Sequence, residues 1–206
     1  MICRSCTAGL QRLEQPYCDT CAEPDTHGQC EWCLEHPSKI DGIRAPYLFE
    51  GPVRDAVHRL KYQGWRVAAP ELGGLLATYL EHHKFPAEMT EQILVPVPLH
   101  PRRLRSRGYN QSHLLAKEAG KLLDLPVNDD LLKRAKDSPP QVEARSREQR
   151  RANVAGSFHA SAGVAGRSIV LIDDVATTGS TLMACAASLK DAGAANVWGL
   201  VLARDS

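Results

Sequence analysis

The sequence has no run of 18 consecutive apolar residues, so no segment is long enough to cross a bilayer as a helix, and membrane insertion is not expected. The opening residues, Met1-Ile2-Cys3-Arg4-Ser5-Cys6, lack the apolar core of a secretory peptide, and a reducing, cytoplasmic setting is expected. Charge of one sign is not in excess. The 25 Lys and Arg stand against 24 Asp and Glu, a formal charge of +1, which excludes a histone-like polycation but not a local basic patch. Neither a Walker A pattern nor a nucleophile elbow is present. There is no internal repeat apart from paired cysteines, and no low-complexity tract. What is there is a chain of 206 residues, 43% hydrophobic and 24% charged. That is enough for one large domain and a small module.

Six of the seven cysteines lie before residue 34, in three Cys-x-x-Cys pairs: Cys3/Cys6, Cys18/Cys21 and Cys30/Cys33. In a reducing setting, paired cysteines point to metal rather than disulfides. The stretch up to His36 has few large apolar residues, and Pro16, Pro24 and Gly28 break any helix. A segment so short does not fold by burial alone. A structural zinc can hold it, since such sites contribute about 10–16 kcal/mol in isolated fingers. The expected ligands are Cys18, Cys21, Cys30 and Cys33, whose eight-residue gap suits a compact ribbon. Cys3 and Cys6 are then left over, as from a decayed or truncated second ribbon. The competing reading is unmetallated thiols or a redox pair. His27 and His36 flank the cysteines as substitute ligands, and Cys185 reads as a small buried hydrophobe.

From Gly42 onward the pattern alternates between strands and helices, with a boundary placed at Pro37–Gly42. Ile43, Ala45, Tyr47 and Phe49 alternate as in a half-buried strand. Gly51-Pro52 opens a helix carrying Val53, Val57 and Leu60, and a second helix is expected over Glu71–His83. A short strand over Ile93–Val97 and a helix over Gln111–Leu123 follow, and Pro139-Pro140 marks a loop. A buried strand at Ser168–Ile172, a helix at Ser180–Ala192 and a strand at Asn196–Leu202 close the chain. Such alternation predicts an α/β fold with a parallel, doubly wound sheet.

The strongest chemical signal is Ile169–Thr181, Ile-Val-Leu-Ile-Asp-Asp-Val-Ala-Thr-Thr-Gly-Ser-Thr. Four apolar residues build a buried strand, and two carboxylates follow at its C-terminal edge, where open α/β sheets bind ligands. A loop of small hydroxyl residues and Gly179 then leads into a helix, whose N-terminus suits a phosphate. Vicinal hydroxyls, a phosphate and Mg²⁺ all fit these groups, and a phosphorylated ribose supplies the first two. The bland alternative is a solvated turn after a strand.

This segment resembles the phosphoribosyl pyrophosphate (PRPP) motif of type I phosphoribosyltransferases. The whole chain resembles the ComF/GntX family, in which a cysteine-rich zinc ribbon precedes a phosphoribosyltransferase domain. Further residues carry the resemblance: Lys61-Tyr62-Gln63-Gly64, Val95-Pro96-Val97-Pro98, Arg107-Gly108-Tyr109-Asn110-Gln111, Gln141, and Arg150–Asn153 before Phe158. It departs in one respect, since members often carry four Cys-x-x-Cys pairs and here there are three. The resemblance implies a type I phosphoribosyltransferase-like, mostly parallel sheet flanked by helices over residues 42–206, with a zinc-ribbon module over 1–37. It implies that Asp173 and Asp174 hold the ribose hydroxyls and serve catalysis. Ala176, Thr177, Thr178, Gly179, Ser180 and Thr181 would hold the 5′-phosphate, and Val95–Leu99 takes the place of the pyrophosphate loop. Mg²⁺ accompanies PRPP, and whether this chain turns PRPP over is left open. The resemblance further implies a role in DNA uptake during natural transformation, with competence-machinery proteins as partners.

A second signal is the basic stretch Pro101–Asn110, with Arg102, Arg103, Arg105 and Arg107 and no acidic residue. A weaker basic cluster, Arg145, Arg147, Arg150 and Arg151, is diluted by Glu143 and Glu148. Arg102, Arg103 and Arg107 are the candidates for pyrophosphate. Alternatively they line a groove for single-stranded DNA, with Tyr109 or Trp65 stacked on bases. A solvated basic loop and a packing role for Tyr109 are the plainer readings.

Overall fold

The computed structural model describes residues 4–83, 85, 92–135 and 146–205. Cys3, Pro139-Pro140, Gln141, Glu143 and Arg145 lie outside the described residues. The elements are α1 (Arg4–Ala8), α2 (Glu31–Glu35), β1 (Gly42–Arg44), β2 (Tyr47–Leu48), α3 (Gly51–Tyr62) and α4 (Ala69–His82). They continue with β3 (Gln92–Pro96), α5 (Pro101–Arg107), α6 (Gln111–Leu123), β4 (Leu132–Arg134) and α7 (Arg147–Val154). The last four are β5 (Phe158–Ala160), β6 (Ser168–Ala176), α8 (Ser180–Asp191) and β7 (Asn196–Arg204).

Strand β6 is apolar on both faces, so both must be covered, as parallel sheets require. It pairs in parallel with β3 on one side and β7 on the other, giving the order β1-β7-β6-β3 with β2 also on β7. Its alternation sorts the core. Ile169 and Leu171 join Ile93, Val95, Val197 and Val201 beneath α8 and the cysteine-rich segment. Val170 and Ile172 join Leu94, Leu200 and Leu202 beneath α3, α4 and α6. Full burial of each Leu or Ile contributes about 1.5–3 kcal/mol.

The expected strand through Ile43 and Phe49 is two short ones. Pro46 cannot donate to the ladder, and the chain resumes pairing on β7 only at Tyr47↔Ala203. The basic stretch is a helix, α5, with Pro101 in its first turn and Gly108 at φ 79° ending it. Strand β6 runs four residues beyond the expected Ile172, through both aspartates. Helix α7 and the antiparallel pair β4–β5 are additions to the expected elements.

The cysteine-rich segment shares the sheet's core. Cys18, Cys21 and Cys33 are buried in the same cluster as Ile43 and Leu182. The Ile43 amide donates to the Thr20 carbonyl (2.8 Å), and the Leu13 amide donates to that of Pro46 (3.0 Å). Glu23 ties three parts together. Its carboxylate accepts two bonds from the Arg147 guanidinium (2.9 Å each) and pairs with fully buried Arg204, whose Nε donates to the Cys21 carbonyl. Removing one partner of such a pair strands the other in low dielectric, at a cost on the order of 3–5 kcal/mol. Glu23→Gln is expected to lower the unfolding midpoint far more than Glu14→Gln on the exposed surface. Equal midpoints in thermal denaturation would show that the Arg204 pair holds nothing.

Candidate active site and metal centre

Asp173 and Asp174 sit near the C-terminal end of β6, in the floor of a cavity of about 650 Å³. Asp174 is buried, and its Oδ1 pairs with Lys61 Nζ at 2.7 Å, from the last turn of α3. Its Oδ2 is buried with no hydrogen-bond partner. Asp173 is half-buried, and its Oδ1 accepts from Ser112 Oγ (2.7 Å) and from the Asp174 amide (2.9 Å). Helix α6 offers Ser112 because Asn110 caps it, accepting from the Ser112 amide at 3.1 Å.

Burial and the neighbouring Asp174 charge push the Asp173 carboxyl up to about 7, against the opposing pull of Lys61 and Ser112. For Lys61, burial disfavours the ammonium, but the Asp174 carboxylate outweighs it and leaves the group above its ordinary value. The site thus holds one firmly paired acid and one poised near neutrality.

The loop after β6 closes one end. Ala176 is buried, Thr177 and Thr181 line the cavity, and Thr178 Oγ1 and Ser180 Oγ lie 2.7 Å apart. Gly179 caps α8 at φ 72°. A Cβ there would lie 2.9 Å from Ile43 Cδ1 and 3.9 Å from Cys21 Cβ. So the positive φ favours glycine, an added Cβ would also press on Ile43, and the cysteine-rich segment packs behind this loop. The arrangement places hydroxyl side chains and a glycine cap at the N-terminus of a three-turn helix, a setting that suits a phosphate.

The arginines of α5 divide. Arg103 and Arg107 line the cavity, whereas Arg102 is exposed and lies outside it. Tyr109 is no stacking platform. It is buried, its hydroxyl donates to the Leu60 carbonyl, and Arg66 covers its ring at 4.3 Å. Trp65 is half-buried under Arg59, 5.5 Å from the ring. Tyr109 nevertheless lines the cavity, together with Tyr62, which is 63% accessible and has Arg107 5.5 Å from its ring. Lys61, Tyr62, Arg150 and Asn153, which the sequence offered only as parts of the resemblance or of a basic cluster, also line the cavity, as does Arg134, which it did not single out. For Lys61 the signal was its place beside an exposed aromatic and a glycine at a helix end.

The metal-ligating atoms of Cys18, Cys21, Cys30 and Cys33 all lie within 4.8 Å of one another, the Cys21 and Cys30 sulfurs at 3.6 Å. Four thiolates tetrahedral about zinc at 2.3 Å stand roughly 3.8 Å apart, so the donor set fits. The Cys33 hydrogen bond holds the Cys21 thiol down to about 5, with help from the Arg204 cation. Burial pushes Cys30 up to about 11. The thiolate is the form that binds metal. His36 is not a substitute ligand, since its ring stacks on Trp32 at 3.9 Å and it takes no place in the thiol group. Among the described residues, no helix is long and apolar enough to cross a membrane.

An acidic pair on the central strand, a hydroxyl loop capping the next helix and cations over the cavity define a class, and the family comparison agrees with it. The phosphoribosyl transferase domain model, Pribosyltran, matches residues 110–205. The chain belongs to the ComF family of competence and DNA-utilization proteins. It is 31% identical over 203 residues to the DNA utilization protein YhgH of Escherichia coli O157:H7, covering 95% of this chain and 87% of that one. Competence protein F of Haemophilus influenzae is 30% identical over 210 residues, covering 98% and 90%. Competence protein ComFC of Streptococcus pneumoniae is 27% identical over 201 residues, covering 95% and 84%. Among solved structures, a glutamine PRPP amidotransferase from B. subtilis aligns with 65% of this chain and 26% of its own, at 21% identity and a TM-score of 0.42.

Proposed function

We propose that the cavity binds PRPP and that the protein serves DNA uptake by handling incoming single-stranded DNA beside that site. The observation that carries the first part is the orphaned Oδ2 of Asp174 in the cavity floor, next to Asp173 and the Thr177–Thr181 loop. A buried acceptor without a donor costs about 1–3 kcal/mol, more for a charged group. A sugar bearing vicinal hydroxyls supplies such donors, and its 5′-phosphate reaches the α8 N-terminus. The ribose hydroxyls would donate to Asp173 and Asp174, Lys61 fixes the Asp174 rotamer, and Arg103 and Arg107 face the pyrophosphate. Mg²⁺ bound with PRPP would neutralise the leaving group. The zinc assignment for Cys18, Cys21, Cys30 and Cys33 belongs to the same reading, as does a cytoplasmic location.

The names of the competence relatives support the second part, and so does Tyr62, an exposed aromatic of the cavity lining that already packs with Arg107 and His58 and could take a base on its remaining open surface. An active Mg²⁺-dependent phosphoribosyltransferase, acting on a nucleobase or amine, is the second reading, favoured by the retained acidic pair.

One experiment separates them. The protein is incubated with labelled PRPP and Mg²⁺ across nucleobase and amine acceptors, with and without single-stranded DNA, and pyrophosphate is followed. Binding of PRPP without release supports a ligand-gated DNA-handling role; acceptor-dependent release supports the enzyme. Reversing charge at Arg103 and Arg107 is expected to flatten the salt dependence of single-stranded DNA binding by about 0.7 for each phosphate no longer neutralised. An unchanged slope would assign those arginines to PRPP alone.

A further inference from the structure

Behind helix α7 lies a second cavity, of about 480 Å³, whose wall differs in chemistry from that of the cavity holding the acidic pair. Three parts of the chain build it. Trp32 and His36 come from the cysteine-rich end, Val154 and Phe158 from α7 and β5, and Ala184 and Ala187 from α8. Helix α7 stands between the two cavities. Arg150 and Asn153 line the first, Arg151 and Ala155 line the second, and Val154 borders both. A volume within about 300–1,000 Å³, a mostly apolar wall with a few polar groups, and a place at the junction of two parts of a chain mark a small-molecule site.

The shape of the wall follows from the sequence. Ala184 and Ala187 lie one turn apart on α8 and end at Cβ, so they leave that stretch of the helix face bare. Met183 beside them adds a polarizable thioether. Trp32 stacks on His36, with ring centroids 3.9 Å apart, and the Phe158 ring is buried in the core below. A flat apolar ring suits such a wall, since rings pair favourably with rings and with sulfur.

The polar groups set the charge. Lys39 and Asp191 pair with each other at the rim and cancel. Arg151 is exposed, and its guanidinium has no hydrogen bond or ion pair among the described residues. Ser38 Oγ, also of this wall, is shielded from solvent and has no hydrogen-bond partner. The wall is thus left with one uncancelled positive charge and one unmatched hydroxyl, and a carboxylate is an acceptor that answers to either.

We propose that this cavity is a second ligand site, for a small aromatic acid whose ring lies against α8 and whose carboxylate meets Arg151. The site goes beyond the phosphoribosyl reading and does not depend on it.

The test uses three probes, each titrated into the full-length protein by calorimetry. 1-Naphthoate carries ring and charge, 1-naphthamide the ring alone, and acetate the charge alone. 1-Naphthoate is expected to bind roughly tenfold tighter than either of the others, or more. Arg151→Gln, at an exposed side chain, is expected to bring the naphthoate-to-naphthamide ratio close to one and to leave the unfolding midpoint unchanged. Ala187→Leu, which fills the cavity from a helix that tolerates leucine, is expected to abolish binding of both naphthalenes. Ala184→Leu serves where Ala187→Leu folds poorly. The first cavity also holds arginines, so the titration is repeated with saturating Mg²⁺ and PRPP, and 1-naphthoate binding should persist. No binding of 1-naphthoate, equal affinity for 1-naphthamide, a ratio unchanged in Arg151→Gln, binding that survives both leucine variants, or displacement by PRPP would overturn the proposal. PRPP failing to bind the wild type is a separate result. It would overturn the phosphoribosyl reading, while the Arg151 and leucine variants still decide this one.

Discussion

Cys21→Ser is expected to strip zinc from the protein and unfold it from the cysteine-rich end. Cys18, Cys21 and Cys33 are interior, in one cluster with Ile43 and Leu182, so the four-cysteine group is part of the main core. Structural zinc contributes about 10–16 kcal/mol in isolated fingers. A whole domain is stable by only about 5–15 kcal/mol. Loss of the metal is therefore comparable to the whole stability of the chain. If the thiols were only small buried hydrophobes, Cys21→Ser would cost about 1–3 kcal/mol for one shielded hydroxyl. Cys185, buried in α8 in the same core but outside the four-thiol group, is the internal control, and Cys185→Ser should show that smaller cost. Elemental analysis of the wild type is expected to give one zinc per chain, and a chelator should lower the unfolding midpoint as Cys21→Ser does. The loss should reach the ligand cavity, because Cys21 and Ile43 pack behind Gly179 and Glu23 anchors α7. A metal-free wild type, or equal midpoints for Cys21→Ser and Cys185→Ser, would remove zinc from the account.

Asp173→Asn/Asp174→Asn is expected to abolish PRPP binding. Asp173→Asn alone should weaken it on the order of 100-fold, the loss of two charge-assisted hydroxyl bonds. The single variants then part company in stability. Asp174→Asn leaves the Lys61 ammonium without its counter-charge and is destabilising. Asp173→Asn retains an acceptor for Ser112 Oγ and the Asp174 amide, and removes a charge that the fold resists. The Asp173 carboxyl stands at about 7 in the folded protein, against an ordinary 3.8. Between those values the folded chain keeps a proton that the unfolded chain has lost. Stability therefore falls as pH rises through that window, and the ionised Asp173 opposes folding above it. Asp173→Asn should accordingly raise the unfolding midpoint at pH 8, by roughly 2–4 °C per kcal/mol regained, and leave it unchanged near pH 4. A variant that loses its ligand while gaining stability marks a site shaped for binding.

The acidic strand and its hydroxyl loop were legible because their parts are contiguous. Strand, acids, hydroxyl loop and helix follow one another from Ser168 to Asp191, and local pattern suffices to order them. The clustering of the four cysteines was legible from spacing alone, since two Cys-x-x-Cys pairs across a short loop meet at one point. The opposite wall was not. Helix α7 is almost wholly polar and buries only Val154, so it has no apolar stripe to read; its cap and Glu23 hold it in place. The strands β4 and β5 are three residues each and pair across a long separation. Tyr109 among arginines allowed either stacking or packing, and local sequence could not choose, because its hydroxyl partner is Leu60, 49 residues away. Lys61 has the same difficulty, because its role is set by Asp174 on a strand far along the chain. Pairing of that kind follows from topology, which places the end of α3 over the end of β6.

The central claim, that Asp173 and Asp174 form the floor of a PRPP site, is tested most directly by calorimetry with Mg²⁺-PRPP on the wild type and on Asp173→Asn. The prediction is one site per chain in the wild type, and a loss of about 100-fold or more in a variant that unfolds at a higher temperature at pH 8. Equal affinity in the two proteins, or no binding to the wild type, would contradict it.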